Sequence, residues 1–325
     1  MKIGIFSLPY NDMSLPEFLD FAKSCGYESV EITANKDSNH LDIEKIVKGG
    51  AMDILREVHS RNLSISALTN HFEGLLVMGP HDETTDAWAP GQDAQTKIKF
   101  GTERIIKTAQ AASEMNIDTV VGFIGSSVWG SWYSFPPKNE KKYKEAWELF
   151  AERWNPILDK FKEYGVRFAL EVMASQMAYN IETCEQAIQA LDNRMEFGFN
   201  FEPGHLVWQL IDPVIFIRKF KDRIYHCHAK DGELQADSIA TSGVACNGAW
   251  VRPERGFRFR TPGWGDSNWR RIVSALVEAG YDKVLSYEHE DPVMSREDGA
   301  EQCIAYLKPM IIKKPLRGTS IFSFE

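Results

Sequence analysis

The chain has 325 residues, 43% of them hydrophobic and 26% charged, with a formal charge of −9. Such a composition belongs to a globular protein of one large or two smaller domains, long enough to bury a core without disulfides or a structural metal. The negative balance argues against a nucleic-acid or membrane-surface binder, because both need concentrated positive charge.

In chain order, short apolar runs alternate with segments of helical periodicity from one end to the other. Strands are predicted near 3–7, 28–32, 63–69, 118–123, 166–172, 196–202, 223–229 and 283–288. Helices are predicted between them: Leu15 to Ser24 after a Ser14 cap, then about 42–60, 97–115, 141–164, 181–192, 212–220, 267–279 and 295–312. Glycines at the junctions Cys25-Gly-Tyr, Tyr164-Gly-Val and Ala279-Gly-Tyr supply left-handed helix caps before the next strand. Eight strand–helix units without a break in composition predict a single (β/α)8 TIM barrel over residues 1–312, with a tail, 313–325, that docks on the barrel or on a partner. Three long stretches, 70–96, 124–140 and 231–265, follow strands and therefore lie as loops on the C-terminal rim. They carry Trp88, Trp129, Trp132, Tyr133, Phe135, Trp250 and Trp264, which pack as a cap or contact substrate directly. The five cysteines, Cys25, Cys184, Cys227, Cys246 and Cys303, are odd in number and scattered. Together with an N-terminus that enters a strand pattern at once, they predict a cytoplasmic protein without a signal peptide.

Four side chains stand at the C-terminal ends of apolar runs: Glu171 in Arg167-Phe-Ala-Leu-Glu171, Glu202 in Glu196-Phe-Gly-Phe-Asn-Phe-Glu202, His228 in Ile224-Tyr-His-Cys-His228, and Glu288 in Val284-Leu-Ser-Tyr-Glu288. A charge in an apolar strand needs a partner, because burying it alone costs several kcal/mol or neutralises it. One strand-end glutamate is commonly a cap or an ion-pair member. Four on strands five to eight converge on one rim, where three carboxylates and an imidazole suit a divalent ion. Manganese is the expected ion, and magnesium, zinc and cobalt fit the same donors. His228 is preferred to His226 because it lies nearer the rim on the same strand face. His205, in Glu-Pro-Gly-His, turns back over the site, and His71 ends the third strand at a rim position. Lys230 and Asp231 follow His228 as substrate contacts or a local ion pair. His289 and Glu290 are expected to point away from Glu288 until the loop turns.

The order strand-Glu, strand-Glu-x-x-His, His-x-His-Ala-Lys-Asp, Pro-Gly-x-Gly, strand-Glu resembles the xylose isomerase-like barrel superfamily of sugar isomerases, epimerases and some nucleases. The resemblance implies a metal site at Glu171, Glu202, His228 and Glu288, with Glu171 and Glu288 as the acid/base pair and His205 on the substrate side. Glu202 departs from the aspartate most members carry. The segments Val120 to Trp129, Tyr133 to Pro137, Arg153 to Leu158 and Phe257 to Asp266 resemble the larger members, among them the α subunits of C-glycoside deglycosidases. That narrower resemblance implies a lyase acting on 3-oxo-glucosides beside a small β-sandwich partner subunit, within an oligomer.

The chemistry these residues permit starts with removal of a proton from carbon next to a carbonyl. Returning the proton to the other face gives an epimerase, moving it one carbon gives an isomerase, and expelling a β substituent gives a lyase. Trp129 and the other rim aromatics favour a flat aglycone and hence the lyase as the leading expectation, with isomerase or epimerase as the alternative. Arg258 and Arg260 are expected to position the substrate.

Overall fold

The computed structural model describes residues 1–133, 135, 137 and 140–315. Eight parallel strands close into a barrel: β1 (Lys2–Phe6), β2 (Ser29–Thr33), β3 (Ser64–Asn70), β4 (Thr119–Gly122), β5 (Arg167–Glu171), β6 (Phe197–Phe201), β7 (Ile224–Ala229) and, after a small hairpin of β8 (Asp231–Leu234) and β9 (Phe257–Arg260), β10 (Val284–Tyr287). Around the barrel the order is β1, β10, β7, β6, β5, β4, β3, β2, and Lys2 to Ile5 pairing with Val284 to Tyr287 closes the ring. All eight predicted strands form, because each apolar run is covered by helices on one side and by lumen side chains on the other.

The helices begin and end where local chemistry dictates. Ser14 and Glu17 form a reciprocal capping box at the start of Leu15–Cys25, and Gly26 ends that helix at φ 94°. The predicted helix over 42–60 is interrupted. A wide turn at Ile46–Gly50, with Gly49 at φ 102°, separates Ile43–Lys45 from Ala51–His59, since adjacent glycines hold helical geometry poorly.

Most of the core lies between strands and helices, with Trp154, Phe150, Phe161, Phe168 and Phe197 all fully buried. Inside the barrel, Ala169 sits two residues before Glu171 and packs with Ala67, Val121 and Tyr225 beneath the rim. The described parts of the three long stretches hold regular structure. They contain a short helix His71–Leu75 and a 3-10 turn Glu83–Trp88, a 3-10 turn Trp129–Ser131, and the antiparallel β8–β9 hairpin. Asp231 fastens the hairpin to the barrel by accepting from the amides of Gly232, Gly263 and Ser267 and from the Trp269 indole. The cysteines are all free thiols, and no helix among the described residues is long and apolar enough to cross a membrane. The tail from residue 316 onward lies outside the described residues.

Candidate metal centre

Glu171 ends β5, Glu202 follows β6, His228 stands near the end of β7 and Glu288 follows β10, and these four strands are neighbours in the barrel. Strand spacing alone therefore brings the side chains together. His228 Nδ1 lies 3.0 Å from Glu288 Oε2, 3.2 Å from Glu171 Oε2 and 3.6 Å from Glu202 Oε2. One ligand atom from each of the four lies within 4.8 Å of the other three, and all four residues are buried. Neighbouring ligands around an ion held at 2.0–2.2 Å stand about 3.0–3.6 Å apart, so the spacing suits a coordination shell.

Three observations test whether a cation fits. His228 Nδ1, Glu171 Oε2 and both Glu202 oxygens are buried without a directed hydrogen bond, a costly arrangement unless something else binds them. The other face of His228 is fixed, with Nε2 3.0 and 3.1 Å from the two oxygens of Glu31. Nε2 therefore donates to Glu31, which leaves the Nδ1 lone pair for the cluster, the usual carboxylate–histidine support of a metal ligand. The charges also conflict. Burial and then the adjacent Glu171 push the Glu202 carboxyl well above its ordinary range against the pull of Lys230. Glu288 is held down at about 2 because Lys230 and His228 outweigh its burial and the Glu171 charge. Burial pulls His228 down, but Glu31 and Glu288 hold its pKa well above the ordinary value. A divalent cation would relieve this crowding of carboxylates, so the residues fit one.

Other predicted residues converge on the same carboxylates. His71 Nε2 is 2.9 Å from Glu171 Oε2, and His205 Nε2 is 3.2 Å from Glu171 Oε1 and 3.3 Å from Glu202 Oε1. Lys230 Nζ donates to Glu288 and Glu290, each at 2.8 Å, and lies 3.2 Å from Glu202. Glu290 thus returns to the site through the lysine, while His289 bonds the Tyr287 hydroxyl. Burial against its surroundings outweighs the Glu171 contacts and lowers the His205 pKa, so its imidazole is neutral. For Glu171, burial opposes ionisation, yet His71 and Lys230 hold the carboxyl well below the usual range. Phe259 of the hairpin closes the rim, edge-on to His205 at 4.7 Å with Lys230 Nζ 4.6 Å from its ring centre.

Trp129 stands apart from this cluster, in an aromatic cavity edge-on to Tyr179. Arg258 pairs with Glu233, and Arg260 bridges Glu233 at 2.8 Å and Asp291 at 3.0 Å, so both guanidinium groups brace the hairpin. His226 lies deeper, between Asn200 Oδ1 at 3.1 Å and Ser66 Oγ at 3.2 Å.

Sequence reasoning passed over Glu31. It sits in Ser29-Val-Glu-Ile-Thr33, every residue of which is buried. The signal was the same one that marked the other four, a carboxylate inside an apolar strand. Its position at the middle of the run, rather than at the end, hid it.

Eight parallel strands in a ring, with a carboxylate-rich cluster at their C-terminal ends, define a (β/α)8 barrel of the kind that builds its site on the rim. The chain belongs to the xylose isomerase-like TIM barrel family, whose sequence profile matches residues 19–310. It is similar to the uncharacterized protein YfiH of Bacillus subtilis (strain 168), at 26% identity over 94% of this chain and 96% of that one. It is also similar to the inosose dehydratase of Lacticaseibacillus casei, at 25% identity over 68% of each. Among solved structures, the 3-keto-D-glucoside 4-epimerase YcjR from E. coli matches with a TM-score of 0.66 at 13% identity, over 95% of this chain and 99% of that one. The IolI protein with a bound zinc atom matches with a TM-score of 0.65 at 16% identity, over 96% and 98%. At these identities the two structures speak for the fold.

Proposed function

We propose that this protein is a divalent-metal-dependent enzyme that moves a proton on carbon next to the carbonyl of a sugar, acting as an isomerase or epimerase. The observation that carries the reading is the pair Glu171 and Glu288, contributed by strands on either side of β6 and β7 and both held ionised in a buried site. A divalent cation on Glu171, Glu202, His228 and Glu288 would supply Lewis acidity toward the carbonyl. Manganese or magnesium suits the oxygen-rich donor set best.

The protein's own groups do the rest. In an isomerisation, Glu171 or Glu288 takes the proton from carbon and passes it to the neighbouring carbon; in an epimerisation one of the pair takes the proton and the other, having taken up a proton from solvent, delivers it to the opposite face. Lys230, bonded to Glu288, balances the negative charge that builds on the carbonyl oxygen. Neutral His205 and the imidazole of His71 exchange hydrogen bonds with sugar hydroxyls, and Phe259 keeps water from the reacting carbon.

A second reading is elimination of a β substituent, for which the similarity to an inosose dehydratase speaks. The cleavage of 3-oxo-glucosides expected from the sequence is one form of it. Both readings share the first proton transfer, so one experiment separates them. Metal-loaded protein is incubated in deuterium oxide with a panel of aldoses, ketoses, keto-cyclitols and 3-oxo-glucosides, and products are followed by NMR. Deuterium entering a C–H position without loss of water or aglycone supports isomerisation or epimerisation, whereas release of either supports elimination. No exchange and no product across the panel, with Glu288→Gln indistinguishable from the parent, would overturn both.

A further inference from the structure

Outside the metal cluster, five aromatic side chains line a cavity of about 410 Å³ between the loops after β4 and β5 and the helices Glu140–Tyr164 and Ile181–Ala190. Three of the chain's nine tryptophans, Trp129, Trp132 and Trp147, line it together with Tyr143 and Tyr179. Trp129 and Tyr179 meet at 78° with centroids 5.2 Å apart, which makes a corner of two aromatic faces. The only charged groups among the described lining residues are the carboxylates of Glu140 and Glu182, and none of those residues is a lysine, arginine or histidine. Neither carboxylate has an ion-pair partner among the described residues, although several other acidic residues on the same helices are paired with lysines, as in Lys141–Glu145 and Lys219–Glu185.

Rings present the negative faces of their quadrupoles, and two unpaired carboxylates add to the same sign of potential. A neutral flat ligand would gain from the rings and nothing from the carboxylates. We propose that this cavity is a second ligand site, separate from the metal cluster, that takes an organic cation of the alkylated ammonium class. The rings surround the alkyl groups while Glu140 and Glu182 face the charge. The site shares a wall with the catalytic rim. Gln209 Nε2 donates both to the carbonyl of Tyr179 at 2.9 Å and to that of His205 at 2.7 Å, so the cavity wall and the site histidine hang from one amide.

The test does not depend on the carbon-acid reading, because it measures binding alone on the full chain. Choline and its uncharged isostere 3,3-dimethylbutan-1-ol are titrated calorimetrically into the protein, with and without manganese. Choline is expected to bind about tenfold more tightly than the isostere, since the two differ only in charge. Glu182→Gln, an exposed change whose fold is checked by circular dichroism, should narrow that preference severalfold. Trp129→Ala should weaken choline by about tenfold, and Trp264→Ala, in the loop after β9 on another part of the same rim, should leave it unchanged. Equal or tighter binding of the neutral isostere, a Glu182→Gln protein with undiminished preference for choline, or no saturation by either ligand would overturn the proposal.

Discussion

Replacing Glu31 by Gln should weaken metal binding without dismantling the barrel. The Glu31 carboxylate is fully buried, touches His228 Nε2 at 3.0 and 3.1 Å, and titrates at about 2 because His228 and His226 outweigh its burial. It is therefore charged at any working pH. The amide keeps the shape and one acceptor but loses the charge that makes His228 a strong donor at Nδ1. A hydrogen bond to a charged group contributes about 1.5–3 kcal/mol, and loss of such support for a metal ligand typically costs 10–100-fold in affinity, or about 1.4–2.7 kcal/mol. Calorimetric titration of manganese into metal-free parent and variant should show this loss, while circular dichroism melts of the metal-free forms establish that both are folded. A variant that binds manganese within about twofold of the parent would refute the idea that Glu31 sets the donor strength of His228.

If the quartet binds a divalent ion, adding manganese or zinc at about 100 times its dissociation constant should stabilise the protein by about 2.7 kcal/mol, seen as a melting temperature raised by several degrees and restored by chelator. Glu202→Gln should abolish that shift, and a shift retained in the variant would remove Glu202 from the ligand set. Asp118 joins β4 to Lys283 at 2.9 Å and Arg167 at 2.7 Å, and these contacts outweigh its burial and hold its carboxyl at about 2. A depressed folded pKa stabilises above the unfolded value near 3.9 and is lost as pH falls toward 2. The side chain is half exposed, so Asp118→Asn should cost about 1 kcal/mol or less at pH 7, and denaturant melts should show the difference vanishing between about pH 4 and pH 2. A difference independent of pH would mean that the ion pairs contribute nothing. Gly125→Ala should destabilise the loop after β4 by several kcal/mol in denaturant melts, because φ is 74° and a Cβ there would collide with the carbonyl oxygens of Leu75 and Gly79. A neutral effect would show that this loop yields freely.

Much of the barrel was legible because a strand covered on both faces writes a continuous apolar run, and Glu171, Glu202, His228 and Glu288 stood out as charges ending such runs. What stayed hidden depends on contacts distant in sequence. The β8–β9 hairpin read as loop because its residues, Asp231-Gly-Glu-Leu and Phe257-Arg-Phe-Arg, are short and half polar. Their pairing across more than twenty intervening residues leaves no local period. Arg258 and Arg260 looked free for substrate since nothing nearby in the sequence announced Glu233 and Asp291 as partners. Glu290 was expected to point away, yet it stands two residues after Glu288, the spacing that returns a side chain to the same side, and its carboxylate reaches Lys230.

The bond between Glu31 and His228 joins residues 197 positions apart, on strands β2 and β7 that β1 and β10 separate around the ring. Every ligand of the quartet comes from the second half of the chain, but the group that points the imidazole at them comes from the first. A fragment containing β5 to β10 would hold all four donors and lack the group that aims one of them. If the quartet holds a divalent ion, its affinity would be a readout of ring closure, reaching full strength only when the first strands have docked beside the last.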